Sequence, residues 1–104
     1  MVLFLFEVSI AIINIMKHRN RLEIVSEILQ TASGNRAIQA KIMHRAYLSY
    51  PQLKEYLSLL KENGLIEYEE GERIYRITAK GLRLLQIYNE LNDVVVMTNN
   101  ITIK

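Results

Sequence analysis

The chain has 104 residues, of which 50% are hydrophobic and 23% charged, enough apolar material for one core and too little length for two independent ones. It has no cysteine, which excludes a disulfide framework, a thiolate nucleophile and the cysteine-based zinc sites and fits a reducing cytoplasm. The formal charge of +2 is too small to announce a nucleic-acid partner, but it is unevenly spread: residues 17–54 carry seven Lys and Arg against two Glu, whereas residues 55–104 carry six against eight acids.

Residues 1–16 are almost wholly apolar and are followed at once by Lys17-His18-Arg19-Asn20-Arg21. A membrane span needs about 20 apolar residues, and Glu7 and Asn14 interrupt this shorter run. A cleaved signal peptide carries its positive charge before the apolar stretch rather than after it. The expectation is an apolar extension upstream of a native start at Met16. An uncleaved amphiphilic anchor and an ordered element of the fold are the alternatives, and no membrane partner is expected unless the segment is translated.

From Asn20 the period is helical, with Leu22, Val25, Ile28, Leu29 and Ala32 on one face. Ser33-Gly34-Asn35 ends this helix, with the glycine expected to take the left-handed conformation. A shorter helix is predicted over residues 36–45, burying Ile38 and Ile42 and exposing Arg36, Lys41 and Arg45. After a break at Ala46-Tyr47-Leu48, Ser49-Tyr50-Pro51-Gln52 reads as a capping box that opens a third helix. Leu53, Leu57 and Leu60 form its apolar stripe, and Asn63-Gly64 stops it. Two helices joined by so short a turn make a helix-turn-helix.

The period then changes to two. Residues 65–68 and 73–77, around a tip of Glu69, Glu70, Gly71 and Glu72, predict a β-hairpin. Thr78 caps a last helix that runs to about Asp93, or to Met97 at the furthest. The predicted class is α+β, mainly α, a winged helix-turn-helix with three helices, a hairpin wing and a C-terminal helix. One domain spans residues 17–98, its last helix covering 78–97, and residues 99–104 form a tail.

This order of elements suits duplex DNA, because a helix laid in the major groove presents polar groups to base edges while a neighbouring helix and the hairpin meet phosphates. Opposite its leucines the third helix carries Pro51, Lys54, Glu55, Ser58 and Glu62, flanked by Gln52 and Lys61. The spacing assigns base or phosphate contacts to Ser49, Gln52, Lys54, Ser58 and Lys61, with Gln52 able to pair bidentately with adenine. Arg36, Lys41 and Arg45 are assigned to the backbone, and Arg73 and Arg76 are the wing residues able to touch DNA. Glu55, Glu62 and the wing glutamates oppose phosphate, so the wing is expected to add little affinity.

In the last helix Leu82 and Leu85 are expected to dock on the core. Leu84, Ile87, Tyr88, Leu91, Val94 and Val95 then form a second apolar stripe that suits a two-fold homodimer; the competing possibility is that Ile24 and Ile28 of the first helix cover it. His18 and His44 lack partners for catalysis, no glycine-rich phosphate loop occurs, and the glutamates at the hairpin tip lack the spacing of a calcium loop. No enzyme activity, cofactor or metal is expected.

The stretches Arg21-Leu22-Glu23-Ile24-Val25, Lys41-Ile42-Met43-His44-Arg45-Ala46-Tyr47-Leu48-Ser49-Tyr50, residues 53–65 and Tyr75-Arg76-Ile77-Thr78-Ala79-Lys80-Gly81-Leu82 resemble small archaeal winged-helix DNA-binding proteins, among them the dimeric ten-kilodalton Sulfolobus proteins. The resemblance covers about residues 17–93. It implies a transcriptional regulator or chromatin-associated protein that dimerises through its last helix. The apolar extension and the break at Met97-Thr98-Asn99 depart from that pattern. The alternative function is a winged-helix module for protein–protein contact in transcription or replication machinery.

Overall fold

A computed structural model describes the backbone of residues 19–102 and the side chains of residues 21–94, so the expectation for residues 1–16 lies outside the described residues. Helix α1, Arg19–Ala32, buries Val25, Ile28, Leu29 and Ala32 at the spacing the sequence lays down. Thr31 is buried among them, and its hydroxyl donates to the Glu27 carbonyl at 2.8 Å, so no orphan polar group enters the core. Ser33 closes the helix by donating its N–H to the Leu29 and Gln30 carbonyls. The left-handed residue of this connection is Arg36, at φ 55°, and not Gly34.

The second helix starts later than its sequence suggests. Ala37 is buried and forms an antiparallel bridge with Tyr75, whose N–H donates to the Ala37 carbonyl at 2.8 Å. That pairing needs extended backbone at Ala37, so α2 spans only Gln39–Ala46, with Ile38 extended at its N-cap. Arg36 therefore lies in the turn before α2. Ile38 is 41% exposed rather than buried, and Ala37 and Ile42 take the core positions.

Tyr47 follows α2 in the left-handed conformation, and Ser49 caps α3, Tyr50–Glu62. The expected capping box is present: the Ser49 Oγ accepts the Gln52 N–H, and the Gln52 Oε1 accepts the Ser49 N–H. Leu53, Leu57 and Leu60 are buried, and Gly64, at φ 70°, ends the helix. The largest fully buried side chains are Ile28, Leu29, Ile42, Leu53 and Leu60, so the core lies where α1, α2 and α3 meet. Burial of one such side chain is worth about 1.5–3 kcal/mol.

The hairpin pairs β1, Ile66–Glu69, with β2, Ile74–Ile77, in antiparallel register, Ile66 opposite Ile77 and Tyr68 opposite Tyr75. The first strand sits one residue further along than the alternation predicts, and the second starts one residue later and ends at Ile77 as predicted. Glu69 is thus a strand residue, and Arg73, at φ 57°, is part of the turn.

Helix α4, Ala79–Thr102, starts where Thr78 Oγ1 accepts the Gly81 N–H at 3.0 Å. It continues through Met97, Thr98 and Asn99, beyond the end that the sequence suggests and into the residues expected to form a tail. Two expectations for its faces are corrected. Leu84 is buried in the core beside Leu85, whereas Leu82 is 43% exposed. Packing against α1 rotates the helix so that the adjacent pair faces inward. Ile87 is half-buried against the core, as is Ile24 of α1. Leu91 and Val94 stay 37% and 57% exposed, and the Val95 side chain lies outside the described ones.

Candidate nucleic-acid interface

The outer face of α3 carries Pro51, Lys54, Glu55, Ser58 and Glu62, all exposed, together with Lys61. The side nearer the hairpin is basic and aromatic. Lys54 Nζ stands 5.8 Å from the Tyr50 ring centroid and Lys61 Nζ 6.0 Å from that of Tyr68. Such contacts are worth about 0.5–1 kcal/mol at exposed sites, enough to bias an ammonium group without sequestering it. Lys54, Leu57, Ser58, Lys61, Glu62 and Tyr75 line an open cleft between α3 and the wing.

Ser49 and Gln52 are placed at the entry of α3, but their polar atoms are used. The Gln52 Oε1 accepts from both the Ser49 N–H and the Ser49 hydroxyl, each at 3.1 Å. A bidentate adenine contact needs that oxygen, so within this geometry only the Gln52 amide nitrogen is left to meet a base. The cap and the base contact compete for one group.

The backbone-facing residues divide similarly. Arg45 is exposed in the last turn of α2, next to His44. Lys41 is half-buried, and its Nζ donates to the Asn35 carbonyl at 3.1 Å. Arg36 is exposed on the turn before α2. On the wing, Arg76 Nε donates to Glu69 Oε2 at 2.8 Å, and this hydrogen bond and charge, with lesser help from Glu72 and Glu67, raise the Arg76 pKa further above its ordinary range. Arg73 is exposed at the tip between Glu72 and the strand. Among the described residues, no group of three or more His, Asp or Glu is placed to hold a metal ion, and no helix is long and apolar enough to cross a membrane.

Sequence reasoning assigned no contact to Tyr47 or Tyr50, yet both rings are exposed on either side of the α3 cap. The signal for Tyr47 was available. A helix that turns sharply into another needs a left-handed residue, and residues 46–48 offer no glycine for it.

Three helices, a tight corner between the second and third, a hairpin bridged back to the segment before α2, and a closing helix together define a winged helix-turn-helix. The chain belongs to the winged helix-turn-helix family, whose model matches residues 18–95. The match runs from α1 through most of α4, and membership points to DNA as the partner. No curated relative matches the chain.

Proposed function

We propose that the chain binds double-stranded DNA as a homodimer and acts as a transcriptional regulator, with α3 in the major groove and the end of α2 on the sugar-phosphate backbone. The observation that carries this reading is the corner itself. The capping box fixes the start of α3 and leaves Lys54, Ser58 and Lys61 on its solvent side, while Arg45 ends the adjoining helix. Lys54 and Lys61 lie two turns apart, along the face that a duplex would meet. Arg36 and Arg73 are outer cations in this arrangement; Arg76, paired with Glu69, contributes less. The reading assigns the chain no catalytic step.

The test is a duplex titration at several salt concentrations. Each phosphate neutralised contributes about 0.9 to the slope of log K against log salt. Replacing Arg45, Lys54 and Lys61 together with Ala is therefore expected to flatten the slope by more than two units. An unchanged slope removes this face from the interface. No duplex binding at low salt moves the assignment to a protein-contact module, with the exposed Leu91 and Val94 of α4 as its surface.

A further inference from the structure

Two helices of this fold end in the same way. After α3, the Gly64 N–H donates to the Lys61 carbonyl at 3.0 Å and the Leu65 N–H to the Leu60 carbonyl at 2.9 Å, with Gly64 at φ 70°. After α2, the Tyr47 N–H donates to the His44 carbonyl at 3.3 Å and the Leu48 N–H to the Met43 carbonyl at 3.1 Å, with Tyr47 at φ 53° and ψ 47°. Both pairs satisfy carbonyls that a helix end leaves open, and both need one residue in the left-handed region. Glycine fills that place without steric cost, whereas a side chain brings its Cβ against the following carbonyl oxygen.

At the corner of the helix-turn-helix the position is held by a tyrosine whose side chain does not compensate by burial. Tyr47 is 91% exposed. Its aromatic neighbour His44, with ring centroids 6.5 Å apart, is itself exposed. A strained backbone kept under a bulky exposed residue marks a side chain retained for contact outside the chain. The ring sits two residues before the cap of α3, with Arg45 on one side in sequence and Tyr50 and Lys54 on the other.

We propose that Tyr47 is an anchor for the DNA backbone. Its ring lies along a deoxyribose, and its hydroxyl donates to a phosphate oxygen at the point where α3 enters the major groove. Tyrosine is among the side chains that bond phosphate, and the N-terminal end of a recognition helix is the end that approaches the duplex. Arg45 and Lys54 supply positive charge around it. The other non-glycine residues at positive φ among the described residues, Arg36 and Arg73, are also exposed side chains of a kind that meets phosphate. Three turns thus hold phosphate-compatible side chains where glycine would be easier. The inference rests on the duplex-binding reading above.

Tyr47→Gly and Tyr47→Asn both suit the left-handed backbone and both remove the ring. Each is expected to melt at or above the wild-type temperature while binding duplex about tenfold more weakly, the loss of one hydrogen bond to a charged group. Because tyrosine is neutral, the line of log K against log salt is displaced with its slope unchanged. Tyr47→Phe, which keeps the ring and loses the hydroxyl, is expected to fall between. Wild-type affinity in both the Gly and Asn variants overturns the anchor and leaves binding through α3 standing. Absence of duplex binding by the wild-type protein at low salt overturns both.

Discussion

Gly81 stands so close to the carbonyl of Leu65 that a Cβ on Gly81 would overlap that oxygen, and it would also lie 2.9 Å from Ile77 Cγ1. The residues around it tie the same two segments together. Thr78 Oγ1 donates to the Gly64 carbonyl at 2.6 Å, and Lys80 Nζ donates to the Asn63 carbonyl at 3.0 Å. The run Thr78-Ala79-Lys80-Gly81 thereby clamps the start of α4 onto the chain that leaves α3. The helix proposed to dimerise and the helix proposed to read DNA are fixed to each other by side-chain bonds and a backbone contact, so any two-fold pairing through α4 would set the pitch at which α3 is presented.

Gly81→Ala tests this clamp. On helix propensity alone the change would stabilise by about 1 kcal/mol. The clash with a backbone atom outweighs that gain, because a carbonyl in a closed turn cannot rotate away as a side chain can. A net loss of about 1–3 kcal/mol is expected, read as a fall in Tm of several degrees. A variant as stable as the wild type would show that α4 can lift from Leu65 at little cost.

The capping box supplies a second prediction. Ser49→Ala and Gln52→Ala are each expected to cost about 1 kcal/mol, and the double variant to cost less than their sum, because both remove members of one reciprocal pair. Denaturant titration of the three variants measures this. Full additivity would mean that the two side chains act separately.

Much of this architecture was readable in the sequence because it is written in local chemistry. Ser49 and Gln52 define a cap, Leu53, Leu57 and Leu60 a stripe, Gly64 a stop, and the change of period after it a hairpin. What escaped depends on contacts between distant segments. The start of α2 is displaced from Arg36 to Gln39 because Ala37 pairs with Tyr75, a partner far along the chain. Leu84 reads as interface and is core, because the rotation of α4 is set by α1 and by the Gly81 contact rather than by its own pattern. At the candidate interface the charges were legible but their pairings were not: Arg76 on Glu69, Lys41 on Asn35 and the Gln52 oxygen in the cap all emerge only once side chains are placed.

The pairing of Arg76 has its own consequence. Its guanidinium faces Glu69 directly, with Glu67 and Glu72 close enough to act on its charge, so a phosphate approaching it meets acidic side chains as well. Arg76→Ala is expected to leave the salt slope of duplex binding within about half a unit of wild type, with little loss of stability for this solvent-screened pair. A slope lowered by a full contact would place the wing on the DNA backbone.

Tyr75 links stability to alkaline pH. Burial, then the neighbouring Tyr68 and Tyr50, raise its phenol above the ordinary 10.0. The folded chain therefore holds the phenolic proton more tightly than the unfolded chain does. This contribution is complete below the unfolded value and is lost as pH rises through the folded one. Tyr75→Phe keeps a ring beside Tyr68, whose centroid lies 4.8 Å away, and removes the titration. The stability gap between wild type and variant is expected to shift in favour of the variant between about pH 8 and about pH 11. A gap that stays constant over that range would mean that Tyr75 ionises alike in both states.

The exposed end of the α4 stripe gives the last prediction. Leu91 and Val94 are neighbours at helical spacing and are 37% and 57% exposed, while Leu84 and Leu85, about two to three turns earlier, are buried against the core. Placing a carboxylate at both exposed positions, Leu91→Asp with Val94→Asp, leaves the core untouched but brings like charges together in any two-fold packing of α4 against its copy. If the chain dimerises through this stripe, light scattering at tens of micromolar is expected to find the wild type at twice the monomer mass and the double variant at the monomer mass. Circular dichroism should report the same helix content in both. Duplex affinity should fall as well, since two linked half-site readers become independent ones and the second contact loses its effective concentration. A wild type that is already monomeric would remove the dimer, and a double variant that remains dimeric would move the interface away from this stripe.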